Sequence, residues 1–296
     1  MLYRRARLVC PLLALLGCAR SSVLPEPAAP EVPAASSPVS TPVTGSTNSW
    51  TIVSNSDPHT YTSVSQIVLE HISGSRTARD SMTVQTQYSL AFDRTNESIP
   101  ISGRVDGFAI QAGNRIGPAS QSGIPVLFSG RVTKGQIAID PASETQVAGT
   151  SIACPNSWST MISGVRRNVF LLPSQISRGM TWIDSTSSMT CHGSTPVSLT
   201  NRYTYRVIGE INRQGTPAIL IERTGKSLLN GQGSEGQHRL AIIGEGSTSG
   251  GFHIDPLTGV LLDAEDKQET KLIITSSGRN QKFAQTIRER ITRTDR

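Results

Sequence analysis

His253 and Asp255 stand two residues apart, the spacing that puts alternate side chains of a strand on one face. A histidine beside a carboxylate can serve as an oriented general base. A base of this kind needs a nucleophile, and the sequence singles none out. Ser194, Ser234 and Ser247 are three serines among many, and neither a G-x-S-x-G elbow nor an H-E-x-x-H motif occurs. Asp255 opens the run Asp255-Pro256-Leu257-Thr258-Gly259, in which proline and glycine sit where a turn wants them. The simpler expectation is a turn aspartate and a wet-face histidine. Hydrolysis by the pair is the minor alternative, and the chain reads as a non-enzyme.

Gly231-Gln232-Gly233-Ser234-Glu235-Gly236 matches G-x-G-x-x-G. That fingerprint meets a pyrophosphate only where a helix follows it. Residues 239–243 read instead as a strand, so a hairpin loop is expected. Gly244, Gly246, Gly250 and Gly251 continue the pattern and suit bends in a strongly curved sheet. Asp263, Glu265 and Asp266 lack the alternating carboxylates and tight glycine turn of a calcium loop; a solvated strand end is expected. His59, His71 and His238 are isolated. Neither a metal nor a cofactor is expected. Trp50, Trp158 and Trp182 are scattered and read as core rather than as a stacking ladder for a ligand.

The N-terminus speaks about location. Arg4, Arg5 and Arg7 precede a mostly apolar run over residues 8–16, broken by Pro11 and ending in Leu15-Leu16-Gly17-Cys18. A basic start, a short apolar stretch and a small residue before the cut make residues 1–17 a secretory signal. A cysteine directly after that small residue resembles the bacterial lipobox. The resemblance implies that Cys18 is diacylated and becomes the mature N-terminus, so that its acyl chains bind the membrane. The alternatives are an ordinary signal peptide with a chance cysteine, or a short membrane anchor. The run is well short of the roughly 20 residues that span a bilayer. Residues 18–48 hold six of the 17 prolines among Ala, Ser, Thr and Val. Such a composition predicts a disordered, extended tether with a reach on the order of 90 Å. In Gram-negative bacteria an aspartate after the cysteine marks inner-membrane retention, so Ala19 favours the outer membrane, facing the periplasm.

Removal of the three N-terminal arginines leaves 25 basic against 22 acidic residues, a mature charge of +3 rather than +6. No dense basic patch interleaves with aromatics, so nucleic acid is not an expected partner. The locally basic end, with Arg288, Arg290, Arg293 and Arg296, reads as a solvated last strand; contact with anionic lipid is the lesser alternative. Cys154 and Cys191 remain for an oxidising compartment, where a disulfide is expected. It would contribute roughly 3–4 kcal/mol in the chain-entropy view. A zinc site wants paired ligand spacing, and only His192 adjoins either cysteine. Two free buried thiols are the alternative.

From Trp50 onward the pattern has period two. Met82, Val84, Tyr88, Leu90 and Phe92 share one parity, opposite Thr83, Gln85, Gln87, Ser89 and Asp93. That is a strand with one buried and one wet face. Further strands are expected at 99–105, 107–111, 125–132 and 136–139, then at 203–209, 218–223, 239–243, 251–255 and 260–264. Asn212-Arg213-Gln214-Gly215 and Ser276-Ser277-Gly278 supply turns, the second opening a C-terminal hairpin. One short helix is plausible, capped by Asn156, with Trp158, Ile162 and Val165 on one face. Ile139-Asp140-Pro141 and Ile254-Asp255-Pro256 each close a strand, with Tyr88 and Tyr205 at similar distances upstream. The expected fold is therefore mainly all-β: curved antiparallel sheets with at most one or two short helices. Two duplicated half-barrel-like units, over 49–150 and 151–296, are one reading; one continuous domain is the other.

The lipobox, the Pro-rich tether, Leu172-Pro173 with Gly179-Met180-Thr181-Trp182, Tyr203-Thr204-Tyr205, and Phe252-His253-Ile254-Asp255 with Gly259 resemble a family of uncharacterised bacterial exported lipoproteins. By analogy of fold the strand pattern is similar to half-barrel carriers of envelope lipids or lipoproteins. A strongly bent antiparallel sheet has a concave apolar face, so the shared parity of Met82, Val84, Tyr88, Leu90 and Phe92 gives the expectation of a binding module lined by them, holding a lipid or another hydrophobic ligand. The alternative is a structural lipoprotein whose interior is filled and whose partner is an envelope protein. Fold alone does not decide between them.

Overall fold

The computed structural model describes residues 49–53, 55–92, 98–113, 125–133, 136–141, 162–192, 195–213, 215–235 and 238–295. Cys18, Cys154, Asn156 and Trp158 lie outside them. The described residues form β1 (Ser49–Thr51), β2 (His59–Ser73), β3 (Arg76–Phe92), β4 (Ser98–Ala112), β5 (Val126–Thr133), β6 (Gln136–Pro141), helix α1 (Ser163–Asn168), β7 (Gln175–Ser177), β8 (Thr181–His192), β9 (Thr195–Arg213), β10 (Thr216–Glu235), β11 (His238–Ile254), β12 (Leu261–Ser276) and β13 (Arg279–Arg293). The all-β expectation holds, with one six-residue helix among the described residues. None of their helices is long and apolar enough to cross a membrane.

Two meanders build one curled sheet. β2 to β6 form the first and β8 to β13 the second, and each pairs consecutive strands antiparallel within itself. β13 joins β2 antiparallel along twelve positions, from Lys282 opposite Ile72 to Arg293 opposite Tyr61. The other two edges, β6 and β8, meet at a single parallel bridge between Gln136 and Ser187, which closes the ring as a barrel. β1 and β7 pair with each other outside this ring.

The turns form where their chemistry predicts. Asp255 Oδ1 accepts from the backbone N–H of Leu257 and Thr258 and from the Thr258 hydroxyl, and Gly259 takes φ +67°. Asn212 Oδ1 accepts from the Gly215 N–H, and Gly215 takes φ +85°. The C-terminal hairpin turns at Ser277 and Gly278. Elsewhere the strands run longer than expected. The proposed break between 105 and 107 is a bulge: Gln87 opposes Gly107 and Tyr88 opposes Val105, leaving Asp106 as the extra residue within one strand. The expected strands 239–243 and 251–255 are the two ends of β11, and the glycines between them are paired residues. The glycine motif is likewise strand over 231–235, because β10 runs on to Glu235; Gly236 lies outside the described residues. Helix α1 begins at Ser163, with Ile162 in the cap position and no side-chain cap bond; the expected cap residue, Asn156, lies outside the described residues.

Glycine explains how the sheet curls so tightly. Six successive inward-facing pairs across β10 and β11 each contain one glycine: Arg223–Gly250, Gly225–Thr248, Ser227–Gly246, Leu229–Gly244, Gly231–Ile242 and Gly233–Leu240. Side chains from the flanking strands lie across the gaps. A Cβ on Gly225 would meet the Tyr203 ring at 2.4 Å, one on Gly244 the Leu272 side chain at 2.6 Å, and one on Gly250 the Asp266 carboxylate at 2.3 Å. Small residues against large ones are how a narrow barrel fills its interior. Gly250→Ala should therefore lower stability by about 1–3 kcal/mol, the usual range for forcing extra volume into packed structure. Urea unfolding checks this; an unchanged midpoint would contradict the packing described.

Candidate ligand-binding site

The barrel interior is divided. Its upper part holds a dry core. Trp50 and Ile52 from the β1 end, Ile162, Val165, Val169, Phe170 and Leu172 around α1, and Ile176 of β7 pack against Tyr61, Tyr88, Leu90, Phe92, Phe252, Ile254 and Ile291 of the wall. This inserted segment acts as a plug. It is tied in by Ile52 N–H to the Ser174 carbonyl and Val53 N–H to the Leu257 carbonyl. Asn168 Nδ2 donates to the Tyr88 hydroxyl at 3.1 Å, fixing the end of α1 to β3.

Beneath the plug lies a row of buried charge. Glu289, Asp266, Gly250, Arg223 and Tyr205 oppose one another in sequence across β13, β12, β11, β10 and β9. Two adjacent carboxylates thus face the interior, and two arginines answer them. Arg167 of α1 donates to Glu289 Oε2 at 2.6 Å, while Ser63 and Ser65 donate to Oε1 at 2.5 and 3.1 Å. Arg223 spans the missing side chain of Gly250 to reach Asp266 Oδ2 at 2.9 Å. Its guanidinium lies between the Tyr203 and Phe252 rings, 4.6 and 4.5 Å from their centroids. Phe170 and Trp182 both stack on Tyr205, at 5.6 and 5.1 Å. Trp50 is core and Trp182 packs against the core, as expected, and Trp182 also belongs to a stack that the sequence did not reveal; Trp158 lies outside the described residues.

The electrostatics follow from burial. Burial pushes the Asp266 carboxyl above the usual carboxylate range, against the pull of Arg223 and Arg167. Burial pulls the Arg223 guanidinium down, but Asp266 and the two tyrosines outweigh it, so Arg223 stays firmly protonated. Arg167 behaves likewise through Glu289 and Asp266. Burial also raises the Tyr203 and Tyr205 phenols. Two positive and two negative groups leave this row neutral overall. The expectation of a solvated acidic strand end holds for Glu265, which is exposed, but is corrected for Asp266, whose side chain is buried, and for Asp263, engaged as described below.

Below the charged row the interior changes character. Tyr61, Ser63, Ser65, Thr86, Tyr88, Leu90 and Phe92, inward above and at the row, are all buried. Further down the same inward parity, Ile67, Leu69, Met82, Ile110, Leu272 and Ile287 are only partly buried and stand outside the packed core. They stand on β2, β3, β4, β12 and β13, while on the same parity Ser227, Ile242, Thr248, Thr270 and Phe283 are buried. Of the residues expected on a concave ligand face, Tyr88, Leu90 and Phe92 are thus covered by the plug, Val84 is buried at the level of the row, and Met82, one inward position below it, is partly buried. Cys191 pairs with Pro196 in β8–β9; its proposed partner Cys154 is outside the described residues.

His253 pairs with a carboxylate, but not with Asp255. Its Nδ1 lies 2.8 Å from Asp263 Oδ1, and Arg213 holds Asp263 by Nε and Nη2 at 3.2 and 3.0 Å. Register explains the choice: His253 and Asp263 are directly opposite across β11 and β12, while Asp255 lies beyond the strand end in its turn. His59 similarly contacts Asp295, and His71 stacks on Phe283.

No family model and no curated protein matches this chain.

Two outcomes follow. Glu289→Gln should lower stability by about 3–5 kcal/mol, because it leaves Arg167 buried without its counter-charge. Arg167→Met with Glu289→Leu should lose less than either single change, which a double-mutant cycle in denaturant will show. Asp263 supplies the pH test. Burial raises its carboxyl, but the bonds from His253 and Arg213 prevail and hold it below the ordinary value of 3.8. A depressed folded-state pKa stabilises at pH above that value and is lost as pH falls through the lower one. Asp263→Asn should therefore melt below wild type at pH 6, and the gap should close in strong acid.

Proposed function

We propose that the protein is a non-enzymatic binding module that holds a lipid or other hydrophobic ligand in a lower chamber, inside the barrel and below the charged row. The supporting observation is the contrast along one inward face: fully buried at Tyr88, partly accessible and apolar at Met82, Ile67 and Ile287. Apolar surface left accessible inside a barrel is stabilised by a ligand that removes it from water, at about 25 cal/mol per Å². Barrels of this kind commonly carry ligands in their mouths. The signal and lipobox residues 1–18 support an envelope lipoprotein anchored through acyl chains on Cys18, with the barrel on its tether and the outer membrane as its site.

A second reading has its own observation. Met189, Leu228 and Ile243 are more than half exposed on the outer face of β8, β10 and β11. An envelope protein partner covering that face would make the molecule an assembly lipoprotein.

Titration with N-phenyl-1-naphthylamine, a neutral apolar fluorophore, separates the two. Chamber binding predicts saturable enhancement that Met82→Asp or Ile287→Asp weakens at least tenfold, with strand circular dichroism retained. Leu228→Asp should leave it unchanged. An apo protein with no saturable signal, or a signal lost only with Leu228→Asp, would remove the chamber reading.

A further inference from the structure

The outer wall behind the charged row carries a depression of about 650 Å³, whose outward side chains include Gln66, Ser249, Glu265, Lys267, Arg288 and Arg290; Asp266 and Glu289 also line it, with their carboxylates paired inward to Arg223 and Arg167. Four of these fall in register across four strands. Gln66 opposes Arg288, Arg288 opposes Lys267, and Lys267 opposes Ser249. With strands about 4.8 Å apart, this is a row of hydrogen-bond donors roughly 14 Å long. At its centre two cations are direct cross-strand neighbours on one face, an arrangement that destabilises a sheet when nothing lies between them. The next row alternates sign, with Arg290 opposite Glu265 at 3.8 Å. Lys267 Nζ touches Glu269, two residues along its own strand, at 2.6 Å. Among the described residues Arg288 has no acidic partner. All of these side chains are substantially exposed, so their ion pairs contribute little to stability. The like-charge pair therefore has no structural explanation within the fold.

We propose that this depression is an anion site for a phosphate monoester, with the doubly charged group seated between Arg288 and Lys267. An arginine fork and a lysine point charge converging on one group are suited to phosphate. Gln66 and Ser249 flank the pair as neutral donors to the rest of the ligand. The site is separate from the lower chamber, because its side chains have the opposite strand parity. Two sources offer this chemistry: a soluble phosphorylated molecule, or a lipid with a phosphate-monoester headgroup.

The test uses the full chain at low ionic strength, where an exposed anion site is least screened. Calorimetric titration with glycerol 1-phosphate should give saturable binding, at least tenfold tighter than acetate. Sedimentation with phosphatidylcholine vesicles containing phosphatidic acid, compared with phosphatidylcholine alone, reports the lipid source; a gain there without binding of glycerol 1-phosphate assigns the site to the headgroup. Lys267→Gln with Arg288→Gln should lose at least tenfold in whichever arm binds, yet melt no lower than wild type, since a repulsion is removed. Glu269→Gln should strengthen binding by releasing Lys267. No binding in either arm, or a double variant that binds like wild type, would overturn the proposal.

Discussion

The buried carboxylate of Glu289 is the constraint on which the interior depends. A charge taken out of water must be matched by counter-charge and hydrogen bonds, or it destabilises by several kcal/mol. Ser63 and Ser65 supply two donors from β2, but the cation comes from α1 as Arg167. The helix therefore has one height in the barrel at which Glu289 is satisfied. That height also brings Asn168 to the Tyr88 hydroxyl and Phe170 between the Tyr205 and Phe252 rings. A six-residue helix without a side-chain cap has little stability of its own. Its position is set by the wall.

The second constraint is closure. Long antiparallel strands with inward side chains on every one would need a wide ring to hold them. Placing one glycine in each of six successive inward pairs of the β10–β11 hairpin leaves one side chain instead of two projecting from each. The side chains of β9 and β12 then lie over it. The same device places the ion pair, because Arg223 reaches Asp266 only across the bare Cα of Gly250. Tight curvature and buried electrostatics are thus products of one substitution pattern, and neither could be altered alone.

Much of this was legible in order and little of it in depth. Alternation in 82–92 read correctly as one wet and one buried face, and the Asp255, Asn212 and Ser277 turns followed from local chemistry. Strand lengths did not, since glycine and a bulge residue interrupt hydrophobic periodicity without interrupting pairing. The buried charges were visible in principle. Glu289 shares parity with Phe283, Ile287 and Ile291, and Arg223 shares it with Ile219 and Ile221. A charged residue on an otherwise apolar parity is the signal, and reading the three acids near 263 by proximity instead of parity hid it. His253 was paired with its sequence neighbour because register was unknown; once β11 and β12 are aligned, Asp263 stands opposite it. The plug could not be foreseen, because its apolar residues after Pro173 and before it carry no period that says which side of a sheet they will occupy.

The distribution of polarity across the wall decides what kind of barrel this is. A membrane barrel turns its apolar residues outward and keeps a polar lumen. Here β3 shows Gln85 and Gln87 to solvent, β13 shows Arg288 and Arg290, and the aliphatic and aromatic residues of both strands face in. Water is thus the solvent of the outer wall along these strands. An inward apolar lining in water has two stable resolutions: to be filled by the chain itself or by something bound. The plug accomplishes the first down to the level of Asn168 and Glu289. Below that level, among the described residues, no segment of the chain is inserted, and Ile67, Met82 and Ile287 keep part of their surface accessible. The charged row is the floor of the compartment that the plug fills. Because its charges are already matched, it can border an apolar guest without demanding a counter-ion from it.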